Sequence, residues 1–411
     1  MEMTKYKLGD IATIYDGPHA TPKRTDNGPV YLGIDAITED CKINPNEFTF
    51  LSEDDYKIWT KRVVPQFKDI VFSYEATLGR YAIIPENFYG CLGRRLGIIR
   101  VKSDAVDYKW LYYFFQSPQW KCYIKNHIIK GSTVNRISVD EMPGYEIPAC
   151  GIADQKKIAA VLSALDDKIA LNKKMNQKLE AMAKRLYDYW FVQYDFPDKN
   201  GHPYKTTGGP MTYNLTLKRE IPEGWKVDNL YAVADYINGL ACQNNRPKSG
   251  ENALPVIKIR EMSEGITSDT EEVSENIPSK YIVENGDILF SWSATLLVMI
   301  WAGGKGGLNQ HIFKVVPKDG FPKEFVYQLL SDYVVNFQQI ALSRKTTMGH
   351  ITSDHINLSR VVLPPENVLK RYAEKVCPIF DKIVRNQVEF RKLTALRDKL
   401  LPLLMNGQVV V

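Results

Sequence analysis

The sequence predicts an α+β protein built as an internal repeat: two α/β domains and two long coiled-coil helices. Three observations carry that prediction. The chain matches itself at offsets near 214 to 218 residues. Both halves run from strand-rich to helical segments in the same order. Each half then closes on a long segment whose apolar residues alternate steps of four and three.

The repeat is sharpest where Asp69-Ile-Val-Phe-Ser-Tyr-Glu-Ala-Thr77 recurs as Asp287-Ile-Leu-Phe-Ser-Trp-Ser-Ala-Thr295, with six of nine positions identical. Thr133-Val-Asn-Arg-Ile-Ser138 lines up with Thr347-Met-Gly-His-Ile-Thr352. Short β-branched and aromatic runs, Ile70–Tyr74 and Ile98–Val101 among them, lie between Gly, Pro and Asp and read as strands. Helical segments are expected over roughly Tyr108–Ile129 and Lys323–Leu342. Each half then passes through a hinge, Gly131-Ser-Thr or Lys345-Thr-Thr.

Two helices of spacer length follow. Ile158, Leu162, Leu165, Ile169, Asn172, Asn176, Leu179, Ala183, Leu186 and Trp190 form one seam. Tyr372, Val376, Ile379, Ile383, Asn386, Phe390, Leu393, Arg397, Leu400 and Leu404 form the second, and an offset of 214 carries one set onto the other. That spacing is a coiled-coil seam rather than the broad stripe of a helix on a sheet. About 39 residues at ~1.5 Å each would reach ~58 Å. The organisation read from these features is a first domain at 1–150 and a helix at 151–195. A turn-rich, irregular linker at 196–222, a second domain at 223–366 and a helix at 367–411 complete it.

Composition excludes several classes. The chain is 44% apolar and 11% aromatic, so it packs a core. No apolar run approaches a membrane span, and no apolar segment stands behind Met1 as a leader, so a cytoplasmic protein is expected. The six cysteines are at least 28 residues apart, without metal-ligand or redox spacing. The net charge of +5 is not carried by the domains: residues 1–150 are neutral and 223–366 carry −4. Any nucleic-acid surface must therefore be a local patch. The run Gly303-Gly304-Lys305-Gly306-Gly307 lacks the ending of a phosphate loop and reads as a tight turn between strands. Leu363-Pro-Pro-Glu366 lacks the flanks of an amino-methyltransferase motif, and His350 and His355 share no helical face. Nothing local points to a cofactor, a metal or a catalytic residue.

The words Tyr6-Lys-Leu-Gly-Asp-Ile11, Gly131-Ser-Thr, Asp154-Gln-Lys-Lys-Ile158, Asp195-Phe-Pro, Gly208-Gly-Pro-Met211, Ile221-Pro-Glu-Gly-Trp225 and Leu400-Leu-Pro-Leu-Leu-Met-Asn-Gly407 occur in this order. With them the chain resembles the specificity subunits of type I restriction–modification enzymes. The resemblance implies two target-recognition domains, each reading half of a bipartite asymmetric site in double-stranded DNA. It also implies two central helices packed antiparallel, which set the half-site spacing and dock two modification subunits. Those subunits would bind S-adenosylmethionine and methylate adenine. Motor-nuclease restriction subunits would supply the ATP and magnesium chemistry, leaving this chain non-catalytic. The second hinge, Ser343-Arg-Lys-Thr-Thr-Met-Gly349, departs from the Gly-Ser/Thr-Thr pattern.

Candidate DNA contacts are loop residues able to reach base edges or phosphates. Thr133, Asn135 and Arg136 lie in the first hinge, where Asn suits adenine and Arg suits guanine. Arg344, Lys345, Thr346, Thr347 and His350 are their counterparts, with Arg344 and Lys345 better suited to phosphate. A polar loop after the first strand offers His19, Thr21, Lys23 and Arg24, and Asn244, Asn245, Arg246 and Lys248 occupy that place in the second half. Arg80 and Arg94-Arg95 are candidate backbone contacts. Each loop also reads as an ordinary solvated turn, and Tyr74 and Trp292 read as core aromatics before stacking platforms. Asn172 and Asn386 are expected to meet mid-seam and fix the helix register. Rival functions are a stand-alone repressor with fused halves, an enzyme carrying its own reader, and a coiled-coil adaptor. A methyl-transfer assay on the isolated chain separates the enzyme from the rest.

Overall fold

The computed structural model describes residues 2–131, 134–343, 353–409 and 411. They fall into two compact units, Met1–Lys168 with Leu393–Val411, and Ile169–Lys392.

In the first unit a four-stranded antiparallel sheet runs Ala12–Asp16, Leu96–Val101, Ile70–Ser73, Tyr81–Ile83 from edge to edge. Ile70–Ser73 is central and buried throughout, which is why Ile70, Val71 and Phe72 form a continuous apolar run. Successive side chains point to opposite faces. Ile70 and Phe72 join the core shared with Trp110, Phe114 and Trp120, whereas Val71 packs with Leu32, Leu96 and Ile98. A second sheet orders Thr49–Leu51, Arg24–Leu32 and Gly90–Leu92, the last two parallel. Thr4–Lys7 pairs with Glu146–Ala149, just ahead of the first long helix. The segment expected as one helix over Tyr108–Ile129 is two, Tyr108–Phe114 and Pro118–Lys125. Ser117 caps the second by accepting from the Trp120 amide at 3.2 Å, and Pro118 occupies its first turn. Ile128–Ile129 is a strand paired with Arg136–Ile137.

The second unit repeats the main sheet in the same order: Ala234–Asn238, Ile312–Pro317, Ile288–Ser291, Leu297–Ile300. Ile288 and Phe290 again face one core and Leu289 the other. The companion sheet is Glu272–Ser274, Ala253–Ile257, Gly306–Leu308, Ile282–Val283. Its parallel pair, Ala253–Ile257 with Gly306–Leu308, matches the parallel pair of the first unit. The glycine run therefore divides. Gly304 turns with φ +86°, while Gly306 and Gly307 are strand, where a Cβ on Gly307 would lie 2.3 Å from Val273 Cγ1. Residues 196–222, expected to be irregular, contain a hairpin of Met211–Asn214 and Arg219–Pro222. The Asn214 side chain accepts from the amides of Thr216 and Leu217, both at 3.0 Å, and so closes its turn. The helix expected over Lys323–Leu342 spans Lys323–Ser343.

The long helices are Ile152–Tyr187 (α1), which continues as a π-helical turn over Asp188–Val192, and Glu366–Met405 (α2). None of the seam positions named above is exposed. Within the second unit the Asn386 Nδ2 donates to Asn176 Oδ1 at 2.8 Å, Asn176 Nδ2 to the Ile383 carbonyl at 3.1 Å, and Asn172 Nδ2 to Glu389 Oε2 at 3.2 Å. Within the first unit Arg397 Nη1 donates to Asp166 Oδ1 at 3.1 Å. Rising numbers on α1 meet falling numbers on α2, so the pair is antiparallel. The partner of Asn386 is nonetheless Asn176, one helical turn beyond the Asn172 expected from full overlap. Asp166 supplies the reason. In the expected register Arg397 would lie against Val161, whereas the observed one seats it on a carboxylate. Asp398 already partners this half-buried guanidinium, and the observed register adds a second, buried carboxylate to it.

Asn386→Leu should leave the Asn176 oxygen without its donor and cost about 1–3 kcal/mol. The double variant Asn176→Leu with Asn386→Leu should cost clearly less than the two single losses added together. Urea denaturation of the three variants measures this, and strict additivity would mean that the amides are not coupled.

Candidate nucleic-acid interface

The nine-residue repeat builds the same corner twice. At its start Asp69 accepts from the Gln66 amide at 2.7 Å and from Arg100 Nε and Nη2 at 2.8 and 2.7 Å. Asp287 likewise accepts from the Glu284 amide and pairs with Lys314 Nζ, both at 2.8 Å. At its end the Ser73 hydroxyl donates to the Thr77 carbonyl and accepts from the Arg80 amide at 3.1 Å. Ser291 does the same with the Thr295 carbonyl and, at 2.9 Å, the Leu297 amide. Ala76 and Ala294 both turn through left-handed backbone, φ 67° and 57°. The shared residues thus make a strand, a carboxylate latch and a tight turn. Of the three positions that differ, Val71 against Leu289 lies in the strand, and Tyr74 and Glu75 against Trp292 and Ser293 sit on the turn itself.

In the first unit three other segments meet this turn at one end of the sheet. The Gly17 amide donates to the Leu96 carbonyl at 3.0 Å, and a Cβ on Gly17 would lie 2.2 Å from that oxygen. The Tyr74 amide donates to the Arg95 carbonyl at 3.2 Å, the Ala76 amide to Asn135 at 3.3 Å, and the Ile137 amide to Tyr74 at 2.8 Å. The hinge bearing Asn135 and Arg136 is therefore stitched to the turn, with both residues exposed. His19 Nε2 lies 2.8 Å from Asp16 Oδ2, with Arg62 Nη1 at 3.7 Å, and Arg95 Nε lies 3.0 Å from Glu75 Oε1. Tyr74 is buried, as a core aromatic should be. Burial and then the neighbouring Asp16 push its phenol well above the usual range.

The second unit assembles the matching corner from other chemistry. The Gly239 amide donates to the Ile312 carbonyl at 3.0 Å and the Trp292 amide to His311 at 3.3 Å. Trp292 Nε1 donates to Asn238 Oδ1 at 3.1 Å, and its ring lies 5.6 Å from that of His311. Neither Asn238 nor the Gln310-His311 pair was singled out from sequence. Their signal was an offset of 216, which sets Gln310-His311-Ile312 on Arg94-Arg95-Leu96. Asp16 and Glu75 were also missed, because a lone acid in a strand or turn carries no motif.

The other candidates are dispersed. Thr21, Lys23 and Arg24 are exposed, but Arg24 opens a strand of the second sheet opposite Leu51, with its guanidinium 5.8 Å from the Tyr31 ring. Asn244, Arg246 and Lys248 are exposed on their loop. Asn245 instead serves that loop, donating to the Ala241 carbonyl at 3.3 Å and accepting from the Ser274 amide at 2.8 Å. Arg80 is engaged within the unit: Nη1 donates to the Ile37 carbonyl at 2.9 Å and Nη2 to Glu39 at 3.1 Å. Thr133, Arg344, Lys345, Thr346, Thr347 and His350 lie outside the described residues. Among the described residues no helix is long and apolar enough to cross a membrane.

Arg80→Ala should lower stability by about 1 kcal/mol through the lost Ile37 contact. It should leave the salt dependence of DNA binding unchanged, as titrations at several ionic strengths would report. A flatter salt slope would show Arg80 on phosphate instead.

Residues 1–181 and 222–391 match the family model described as the type I restriction modification DNA specificity domain. Among curated proteins, the chain is 28% identical over 330 residues to the type I restriction enzyme MjaIX specificity subunit of Methanocaldococcus jannaschii, covering 76% of this chain and 71% of that one. It is 22% identical over 385 residues to the HindI specificity subunit of Haemophilus influenzae, covering 80% and 84%. Among solved structures, the S subunit of a type I restriction-modification system from M. genitalium shares the fold. The TM-score is 0.60, at 14% identity, over 98% of this chain and 96% of that one.

Proposed function

We propose, on the premise that this chain belongs to the type I restriction modification DNA specificity family, that its two corners are its two DNA readers. The chain is a specificity subunit, a DNA-recognition component rather than a catalytic one. The observation that carries the two-reader model is the doubled sheet, which presents one corner geometry twice with different side chains. The first corner offers Asn135, Arg136 and Arg95, and the second offers Asn238, Gln310 and His311. Amide and guanidinium groups of this kind pair bidentately with purine edges in the major groove. His19, Lys23 and Arg246 are supporting candidates on exposed loops, and Arg344 and Lys345 are further candidates by their charge.

The remaining parts have consistent roles. α1 and α2 set the distance between half-sites, which follows from helix length rather than from base contacts. Their polar faces dock two modification subunits, and restriction subunits join that assembly, as the resemblance implies. S-adenosylmethionine, ATP and magnesium belong to those partners, and the complex works in the cytoplasm. A stand-alone repressor would need none of this partner surface. Two readers on one chain are free to diverge, so the site need not be a palindrome.

Exchanging residues 223–366 for the second domain of another family member should change one half of the methylated site and leave the other intact. Sequencing methylated adenines in a host carrying the hybrid and its modification subunit reads this directly. A change in both halves would contradict independent readers.

A further inference from the structure

The first corner holds more buried polar chemistry than its scaffold uses. The Tyr74 hydroxyl lies beside the Asp16 carboxylate, while Arg95 Nε, shielded from solvent, makes no hydrogen bond within the protein. Native structures keep few such groups, and each costs stability. Arg95 also holds left-handed backbone, φ 75°, which a long side chain adopts only when its surroundings impose it. What imposes it is the sheet end, where the Arg95 carbonyl accepts from the Tyr74 amide. The strained residue therefore carries its guanidinium beside the turn, where Glu75 meets it.

The contact with Glu75 has a particular geometry. Arg95 Nε lies 3.0 Å from Glu75 Oε1 but off the axis of a hydrogen bond, so the attraction is ionic. It engages the inner nitrogen of the guanidinium. The two side chains are 31% and 27% exposed, neither sealed in nor free in solvent. Around them stand exposed Arg94, Asn135 and Arg136. Asp16 Oδ2 is shared by His19 and Arg62. An arginine steadied at Nε by a carboxylate loses less side-chain freedom when its outer nitrogens bind a flat acceptor pair.

We propose that Arg95 and Glu75 together read one G·C base pair in the first half-site. Arg95 donates to guanine O6 and N7, and the second oxygen of Glu75 accepts from the N4 amine of the paired cytosine. This rests on the reading of the chain as a sequence-specific DNA binder. The second corner holds Ser293 and His311 at the matched positions, with no such charge pair, so the effect belongs to one half of the site alone.

The test uses the full chain assembled with its modification subunits, with methylated sites sequenced and thermal melts run in parallel. Arg95→Gln should shift one position in one half from G·C towards A·T, because glutamine pairs bidentately with adenine. Glu75→Gln, which keeps shape and removes charge, should relax the same position by about ten-fold with an unaltered melt. An unchanged site in both variants, changes in both halves, or an equal loss of binding to every sequence would overturn the proposal. If Arg95→Gln fails to fold, Glu75→Gln decides alone. Wild-type assemblies that methylate without sequence preference would overturn the DNA-reading function itself, a failure distinct from the others.

Discussion

A carboxylate buried beside the helix seam is the constraint on which the first unit depends. Asp166 is 5% exposed and accepts from Lys42 Nζ at 2.6 Å, the Tyr113 hydroxyl at 3.0 Å and Arg397 Nη1 at 3.1 Å. One side chain thus ties α1 to a loop of the sheet domain, to its helix Tyr108–Phe114 and to α2. Burial works against the charge on Lys42, but Tyr112 and Asp166 more than offset it and hold its pKa above the usual value. Gln155, fully buried one helix region earlier, bonds the Ala105 and Cys150 carbonyls and the Asp107 amide at 2.7–3.0 Å. Slippage of α1 against its domain would strand all of these groups, at ~1–3 kcal/mol each. The helix and the domain are in effect one body.

The second unit reaches the same end with different chemistry. Phe380 stands at the repeat position of Asp166 and packs against Tyr327 with ring centroids 5.4 Å apart. Trp190, Phe191, Phe325 and Tyr372 add an aromatic cluster with centroids 4.9–5.7 Å apart. The polar node specifies a geometry and the aromatic one supplies area. The two corners follow the same pattern: the shared serine, aspartate and left-handed alanine hold the turn, while the residues beside it differ. Duplication has kept the frame and released the surface.

Sequence reasoning reached the frame because a frame is periodic. The seam of α1 and α2, the antiparallel pairing implied by family resemblance and the doubled strands all stand. What it missed lies between periods. Asp166 falls beside the seam rather than on it, so the register was placed one turn away, at Asn172 instead of Asn176. Ser117-Pro118 was passed over as a helix break, and Gly306-Gly307 was assigned to a turn because the close approach of Val273 has no sequence mark. The site was less legible still. Arg80 and Arg95 look alike as letters, yet one is spent on Ile37 and Glu39 and the other lies against Glu75 on the turn. Only the pairing of strands separates them.

Helix length as the determinant of half-site spacing is the claim most directly exposed to measurement. Seven residues of coiled-coil sequence inserted after Lys174 in α1 and after Val388 in α2 keep the seam and lengthen the pair by about 10 Å. Mapping methylated adenines in a host carrying this variant should show both half-sequences unchanged, with a gap wider by up to roughly three base pairs. An unchanged gap, or new half-sequences at the old spacing, would contradict the account.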